Sequence, residues 1–446
     1  MSKRLIFGLL LAVSLHAFDE LVLIISLPTI VEDLGGEQWY GLSLAAFMLA
    51  SLVSVAWAGD WIDQHGPSTI FRLGLICFAS GLILACLAPS MMILIAARAL
   101  QGIGGGIAWT TAYSVMNRLS SQDIKSRMVA MLDSAWLLPS LLAPAVGGVL
   151  IDLLNWRWVF AIQLPLLALV YFLAAPQISH LTYTPKASDY TSLKNALKIG
   201  IYSGLLIWIV SRPMDVLWLT VPILLFALWG PINRVLPAGW LRLSNPLAVS
   251  VVILAVSFFA FYGMETFLPL FLIEQRGFST SAAGLLFTFG AFSWVAASFG
   301  QSWLDQRISQ QHSMLIGLVL LLITLALIIA VLNPSVPATL LYLGWTLAGF
   351  GMGLAFNAAA TAAMLATTPG KEGATASATG VAETLAIALA SGMGGAIKNQ
   401  VTFQGGGLED ALLVIWCAMG AVLLLGLWIV WRRFPAERLW HQSTVG

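Results

Sequence analysis

The sequence predicts an all-α membrane protein with fourteen transmembrane helices, and three observations lead to this prediction. Only 9% of the 446 residues are charged and 59% are hydrophobic, whereas a soluble domain carries about 25% charged residues. Fourteen apolar runs are long enough to cross a bilayer, which takes roughly 20 residues. Short patterns of the first half of the chain also return in the second half. Lipid must therefore be the solvent for most of this protein's surface.

The fourteen apolar runs are separated by short polar connections. They cover residues 5–28, 40–58, 69–88, 91–116, 127–151, 157–175, 194–211, 214–230, 246–273, 281–301, 312–332, 338–364, 372–397 and 409–431. The net charge of +1 offers no surface for nucleic acid. The three cysteines all lie in apolar runs, which argues against a disulfide framework or a metal cluster. No cofactor is expected.

Positive charge is distributed unevenly between the connections. The odd-numbered connections hold four Lys or Arg residues, namely Arg157, Arg212, Arg276 and Lys398, while the even-numbered connections and the two tails hold 16. Cytoplasmic loops of membrane proteins carry an excess of Lys and Arg. An even number of spans places both termini on one side, so both termini are expected in the cytoplasm.

An internal repeat relates the two halves. The glycines of the fourth span, Gly102, Gly104 and Gly106, return 247 residues later in the twelfth span, and Gly147-Gly148 of the fifth span return at the same offset in the thirteenth. Repeated six-span halves are typical of secondary transporters, with the binding site near mid-membrane. Three domains follow: an N-terminal six-helix bundle at 1–175, a linker with two inserted helices at 176–245, and a C-terminal six-helix bundle with its tail at 246–446.

Several ordered motifs resemble those of one transporter family. They are Gly59-x-x-x-Asp63-x-x-Gly66 after the second span, Arg98-x-x-Gln101-Gly102-x-Gly104 in the fourth, Asp19 nine residues before Pro28 in the first, and Pro144-x-x-Gly147-Gly148 in the fifth. In this order they are similar to the motifs of the major facilitator superfamily, and within it to the fourteen-span drug:proton antiporters. The resemblance covers the whole chain.

The resemblance implies the major facilitator fold, two pseudo-symmetric six-helix bundles, here with two inserted helices. It also implies a monomer in a bacterial inner membrane that works by alternating access. The motif after the second span is expected to gate that motion. Its basic pair is replaced by Pro67-Ser68, so Asp63 must find its partner elsewhere, with Arg72 and Arg127 as the candidates.

Charged side chains within apolar runs are the candidate site residues. A charge at the bilayer centre costs roughly 2.5–3.5 kcal/mol on insertion scales, so such groups are expected to line a pathway. At 1.5 Å per residue, Asp19, Arg98 and Glu265 lie about 12–13 Å below the outer face and share one layer. Asp19 and Arg98 are predicted to couple protons, and a static salt bridge between two helices is the alternative.

The other ionisable groups have less certain roles. His16 shares a helical face with Asp19 and Glu20 and is expected to be a partner in proton coupling. Glu20 lies on the cavity wall or packs between helices. Glu383 is near the centre of its span, whereas Asp133 is near the inner end, where a gate role or snorkelling is as reasonable as a site role.

The predicted substrate site joins these acids to polar and aromatic side chains. Its members are Glu265, Glu383, Asp133, Gln101, Trp109, Tyr262 and Asn357. The candidate set contains five buried acids, one arginine and one histidine, and this excess of acids favours a cationic substrate. Aromatic walls favour a flat or hydrophobic cation. For each aromatic residue alone, packing against lipid or protein is the alternative.

The sequence therefore predicts a proton-coupled multidrug efflux antiporter that exports hydrophobic, cationic compounds. A carboxyl group in a low-dielectric cavity favours its protonated form, and substrate and proton would compete for one negative charge. The alternatives are a proton-coupled transporter of a specific metabolite or lipid in the same fold, and a non-transporting membrane receptor. An enzyme is not expected, because no metal-ligand cluster and no nucleophile–base pair is found in the sequence.

Overall fold

The computed structural model describes residues 2–119, 125–180, 191–212, 217–304, 307–367 and 372–434. In this part of the chain the long helices are α1 (Lys3–Leu34), α2 (Tyr40–His65), α3 (Pro67–Cys86), α4 (Met91–Leu119), α5 (Lys125–Leu153), α6 (Gln163–Ser179), α7 (Thr191–Val210), α8 (Leu217–Val235), α9 (Pro246–Leu270), α10 (Thr280–Leu304), α11 (Gln310–Ala330), α12 (Leu340–Leu365), α13 (Glu372–Phe403) and α14 (Leu408–Arg433). A four-residue helix, Trp158–Ala161, precedes α6, and a π-helical turn, Phe271–Gln275, continues α9.

Each of the fourteen predicted apolar runs falls on a helix, as a bilayer requires, because a helix satisfies its own backbone hydrogen bonds. Twelve helices within the described residues are long and apolar enough to cross a membrane. The protein is therefore an integral membrane protein. Of the remaining two, α5 includes side chains outside the described part, and the described apolar stretch of α8, Thr220–Val235, is shorter. The count of fourteen spans stays a prediction.

Local sequence signals set several helix ends. The side chain of Ser2 accepts a hydrogen bond from the Leu5 amide at the start of α1, and Asn245 caps α9 in the same way. Gly66 has a φ of 81° and joins α2 directly to α3, a conformation that L side chains rarely adopt. Pro67 follows at the first position of α3, where its missing N–H costs nothing.

The chain forms two compact units. The first contains residues 1–206 with 278–284, and the second contains 207–277 with 285–446. In the first unit, α7 packs on α2, where Gly200 lies against Val53. In the second unit, the end of α7 is held by α13, because the Asn399 amide donates to the carbonyl of Ser211 at 3.1 Å.

Glycine contacts show the internal repeat within both units. Gly102 and Gly106 of α4 lie against α2, and Gly104 lies between them against α3. In the second unit, the three glycines of α12 at the 247-residue offset contact α10 and α11 in the same pattern. An added Cβ at any of these positions would overlap a neighbouring helix, so the repeated glycines bring the helices into close contact.

The repeat also fixes the register between α1 and α9. Gly147 of α5 packs on Val22 of α1, and its counterpart Gly394 of α13 packs on Phe267 of α9. Position 22 therefore corresponds to position 267, an offset of 245 between α1 and α9. This register assigns each buried residue of α1 a counterpart on α9.

Candidate functional site

A buried hydrogen-bond network surrounds Asp19 in the first unit. Asp19 is fully buried on α1, and its Oδ2 accepts a hydrogen bond from Arg98 Nη1 of α4 at 2.5 Å. Its Oδ1 accepts from Gln101 Nε2 at 3.0 Å and from Gln163 Nε2 of α6 at 3.1 Å. Gln101 Oε1 closes the ring by accepting from Arg98 Nη1 at 2.9 Å. Three helices are thus joined through one carboxylate.

The network balances one negative charge with one positive charge away from water. Arg98 is only 1% exposed, so neither ion is solvated. Removing one partner of such a pair costs about 3–5 kcal/mol, because it strands the other ion. Sequence spacing placed Asp19 and Arg98 in one layer, and the structure brings them into direct contact. Neutralising the carboxylate would leave the Arg98 cation buried without its counter-ion.

Aromatic rings cover the network on the side of α2 and α5. The Arg98 guanidinium lies 4.2 Å from the ring centroid of Phe47, an arrangement that stabilises the cation. His16 stacks on Phe47 at 5.3 Å and meets Trp136 edge-on at 5.8 Å. Trp136 in turn contacts Trp109 at 6.2 Å. His16 and Trp109 were both predicted as site residues. His16 contacts the ring that covers Arg98, and Trp109 is connected to His16 through Trp136.

His16 occupies a position that only a glycine neighbour permits. Its ring lies against Gly105 of α4, where any added Cβ would overlap it. Its Nδ1 is buried and has no hydrogen-bond partner among the described residues. His16 therefore packs as an aromatic ring against Phe47, with one polar atom unsatisfied beside the charged network.

Glu20 adjoins the network but does not join it. The side chain is 5% exposed, and no hydrogen bond to it is found within the described part of the chain. It lies about 100° around α1 from Asp19. A buried carboxyl group without a bonded partner is costly to ionise, so Glu20 stands beside the ion pair as a separate acidic group.

The second unit holds an aromatic cluster where the first unit holds charges. Phe258 stacks on Tyr262 at 5.8 Å, while Phe261 contacts Trp294 at 5.4 Å and Trp345 at 5.1 Å. These rings come from α9, α10 and α12. Tyr262 was a predicted substrate residue, and the structure makes it part of this aromatic surface.

Predicted acids of the second unit lie on α9 and α13. Glu265 is buried at 6% exposure in the helix that carries Phe261 and Tyr262, and Glu383 on α13 is partly exposed. Asn357 donates to Ser298 Oγ of α10 at 2.8 Å and to the Gly353 carbonyl at 2.7 Å. Its amide nitrogen is thus engaged between α12 and α10.

The repeat register shows how the two units differ. At the offset of 245, Glu20 corresponds to Glu265, while Asp19 corresponds to Met264. At the offset of 247, Arg98 corresponds to Trp345. The second unit therefore keeps a carboxylate at the position of Glu20 but has apolar side chains at the positions of the Asp19–Arg98 ion pair. The offset of 245 between α1 and α9 also relates His16 to Phe261.

The predicted gating residues lie at the ends of helices. Gly59 has open space where a Cβ would be, Gly66 turns the chain between α2 and α3, and Arg72 is exposed on α3. Gly147 packs on Val22, and Gly148 packs on the backbone of Ser281 at the start of α10. The side chains of Asp63, Arg127, Asp133 and Pro144 lie outside the described residues.

Two polar residues were missed by the sequence analysis. Gln163 is the first residue of α6, where the sequence indicates only the start of a helix. Its side chain nevertheless forms a hydrogen bond with Asp19. Asp60, near the end of α2, accepts a hydrogen bond from the backbone amide of Leu193 at 3.1 Å and so caps the first turn of α7. A polar residue at the edge of an apolar run was the available signal for both.

Two repeated helix bundles with a polar network inside apolar helices define a membrane transporter. The family model of the Major Facilitator Superfamily matches residues 9–391, and the chain belongs to that family. It is therefore a transporter and not an enzyme.

Two curated relatives are similar over most of the chain. Multidrug resistance protein 3 of Bacillus subtilis is 25% identical over 376 residues, which are 81% of this chain and 73% of that protein. A Mycobacterium tuberculosis protein named "Probable multidrug-efflux transporter" is 26% identical over 420 residues, or 90% of this chain and 88% of the relative.

Solved structures share the fold at low sequence identity. A peptide transporter matches with a TM-score of 0.70 at 14% identity, covering 96% of this chain and 94% of its own. A D-xylose-proton symporter matches with a TM-score of 0.68 at 13% identity, covering 97% and 98%. At these identities the similarity is one of fold.

Proposed function

We propose that this protein is a proton-coupled multidrug efflux antiporter of the fourteen-span family, which exports hydrophobic, cationic compounds from the bacterial cytoplasm. Both termini lie in the cytoplasm, and the protein acts as a monomer in the inner membrane. The relatives named for multidrug resistance and efflux support drugs as the substrate class. The buried network of Asp19 and Arg98 is the observation on which proton coupling rests.

Proton coupling follows from the chemistry of that network. While Asp19 is ionised, it holds Arg98 and two glutamines of α4 and α6 against α1. A proton on Asp19 removes its negative charge and so weakens the attraction to Arg98. The helices then lose the contact that holds them together, so protonation and helix rearrangement are linked.

Substrate recognition is assigned to the acids and rings of the second unit. Glu265 and Glu383 supply negative charge, and the cluster around Tyr262 supplies flat apolar surface, which together suit a hydrophobic cation. Asn357 is a further proposed substrate contact in the second unit, and Gln101 and Trp109 are proposed substrate contacts in the first unit. Asp19, Arg98, Glu20 and His16 form the proposed proton-coupling group, in which the ion pair has no counterpart in the second unit.

The test is transport by purified protein in liposomes with an acidic interior. A lipophilic cationic dye should accumulate while protons leave, and Asp19→Asn should bind the dye but move no protons. Dye transport without proton movement would remove the coupling from the mechanism. Dye and protons moving in the same direction would establish symport, the rival transport mode.

A further inference from the structure

Among the described residues, the groups bonded to Asp19 are three donors and include no acceptor. Oδ2 receives the Arg98 guanidinium, and Oδ1 receives the amide nitrogens of Gln101 and Gln163. All of these groups offer N–H and none offers a lone pair to a carboxylic O–H. The arrangement therefore fits the ionised form, and the protonated form needs one neighbour to turn around.

The two glutamines differ in whether their amide oxygen is already engaged. The Gln101 oxygen already accepts from Arg98 at 2.9 Å, so rotating that amide would place its nitrogen against the guanidinium. The Gln163 oxygen is buried and has no hydrogen-bond partner among the described residues. Its nitrogen also donates to the carbonyl of Val159 at 3.0 Å, one turn earlier in the chain. To present an acceptor to Asp19, Gln163 must therefore give up that bond and also move its oxygen clear of the Val159 carbonyl, since two acceptor oxygens repel each other.

We propose that Gln163 is a positioning residue whose amide holds ionised Asp19 through Nε2 and turns to accept the proton of the neutral acid through Oε1. This inference rests on the proposed proton coupling and adds a residue to it. A charge-assisted hydrogen bond is about twice as strong as a neutral one, so Gln163 stabilises the ionised form more than the protonated form.

Other charged and titratable groups around Asp19 also influence its protonation. Arg98 on α4 is the cation in contact with it, and His16 and Glu20 are the titratable groups on its own helix. In this layer α6 contributes Gln163, which is neutral. Asp133 on α5 belongs to the side chains outside the described part. A change at Gln163 leaves all of these charges in place.

The experiment is an infrared pH titration of the full-length protein in detergent, without substrate or gradient. The carbonyl band of protonated Asp19 is identified by its loss in Asp19→Asn. In Gln163→Leu its midpoint should move upward by about half to one pH unit. The glutamine amide band in the difference between acid and alkaline spectra should become weaker, because the contribution of Gln163 is lost while that of Gln101 remains. Gln177→Leu, the same change at the exposed end of α6, is the control and should match the unmodified protein. Gln163→Met serves if the leucine variant does not fold.

The titration separates the two proposals. An unchanged midpoint, or an amide band as strong in Gln163→Leu as in the unmodified protein, overturns the role of Gln163. Failure of dye-driven proton movement, together with the expected titration, overturns the antiport mechanism alone.

Discussion

Breaking the Asp19–Arg98 pair from either side should have different consequences. In Asp19→Asn, the Arg98 cation keeps Gln101 as its acceptor and the face of Phe47 but loses the only carboxylate within hydrogen-bond distance in the described structure. In Arg98→Met, the Asp19 carboxylate keeps two amide donors but loses its cation. The two variants leave opposite charges stranded in the same buried place.

The magnitude follows from the burial of both ions. Asp19 is 0% and Arg98 1% exposed, so water cannot replace the lost partner, and stranding one ion costs about 3–5 kcal/mol. Arginine cannot lose its proton in a protein, so Asp19→Asn should be destabilised at every pH. Asp19 can be neutralised by a proton, so Arg98→Met should be nearly normal in acid and lose stability as the pH rises. The double variant strands no charge and should be more stable than Asp19→Asn.

The assay is thermal unfolding of the detergent-solubilised variants between pH 5 and pH 9. The profiles of stability against pH for Asp19→Asn, Arg98→Met and the double variant should differ in shape as well as in height. Equal stability of Asp19→Asn and the double variant would refute the reasoning, because it would mean that Arg98 is solvated or rearranged when Asp19 is lost. A flat pH profile for Arg98→Met would show that Asp19 carries no buried charge.

Three further predictions follow from other parts of the structure. Glu265→Gln should weaken binding of a cationic dye by several-fold more than binding of a neutral dye of similar size. Glu383→Gln is the matched comparison and is measured with the same two dyes. Equal losses of affinity for the two dyes would indicate a folding role. Gly105→Ala should cost about 1–3 kcal/mol because its methyl group overlaps His16, and His16→Ala in the same chain should restore stability to the purified protein. Asp152→Ala should cost about 1 kcal/mol, because Asp152 caps the first turn of α10 through the amide and hydroxyl of Ser281, whereas Asp152→Asn should retain most of the cap in an unfolding assay.

Much of the candidate site could be placed in depth from the sequence. Helical rise put Asp19 and Arg98 in one layer, and the motif that contains Arg98 also named Gln101. The internal repeat also relates carboxylates of the two halves, since the offset of 245 pairs Glu20 with Glu265. That offset becomes evident only when Val22 and Phe267 are seen packing on equivalent glycines. The glycine motifs of the sequence alone indicated an offset of 247 for other helices.

The sequence by itself determined that this is a membrane protein of many helices with repeated halves, because hydropathy, glycine spacing and caps act within one helix or between adjacent ones. The tertiary structure decided which polar groups meet. Asp19 binds partners 79, 82 and 144 residues away, and those contacts depend on the rotation and crossing of α1, α4 and α6. Gln163 became part of the site for this reason. Its position at the start of α6 follows from the sequence, but its reach to Asp19 depends on the packing of α6 against α1.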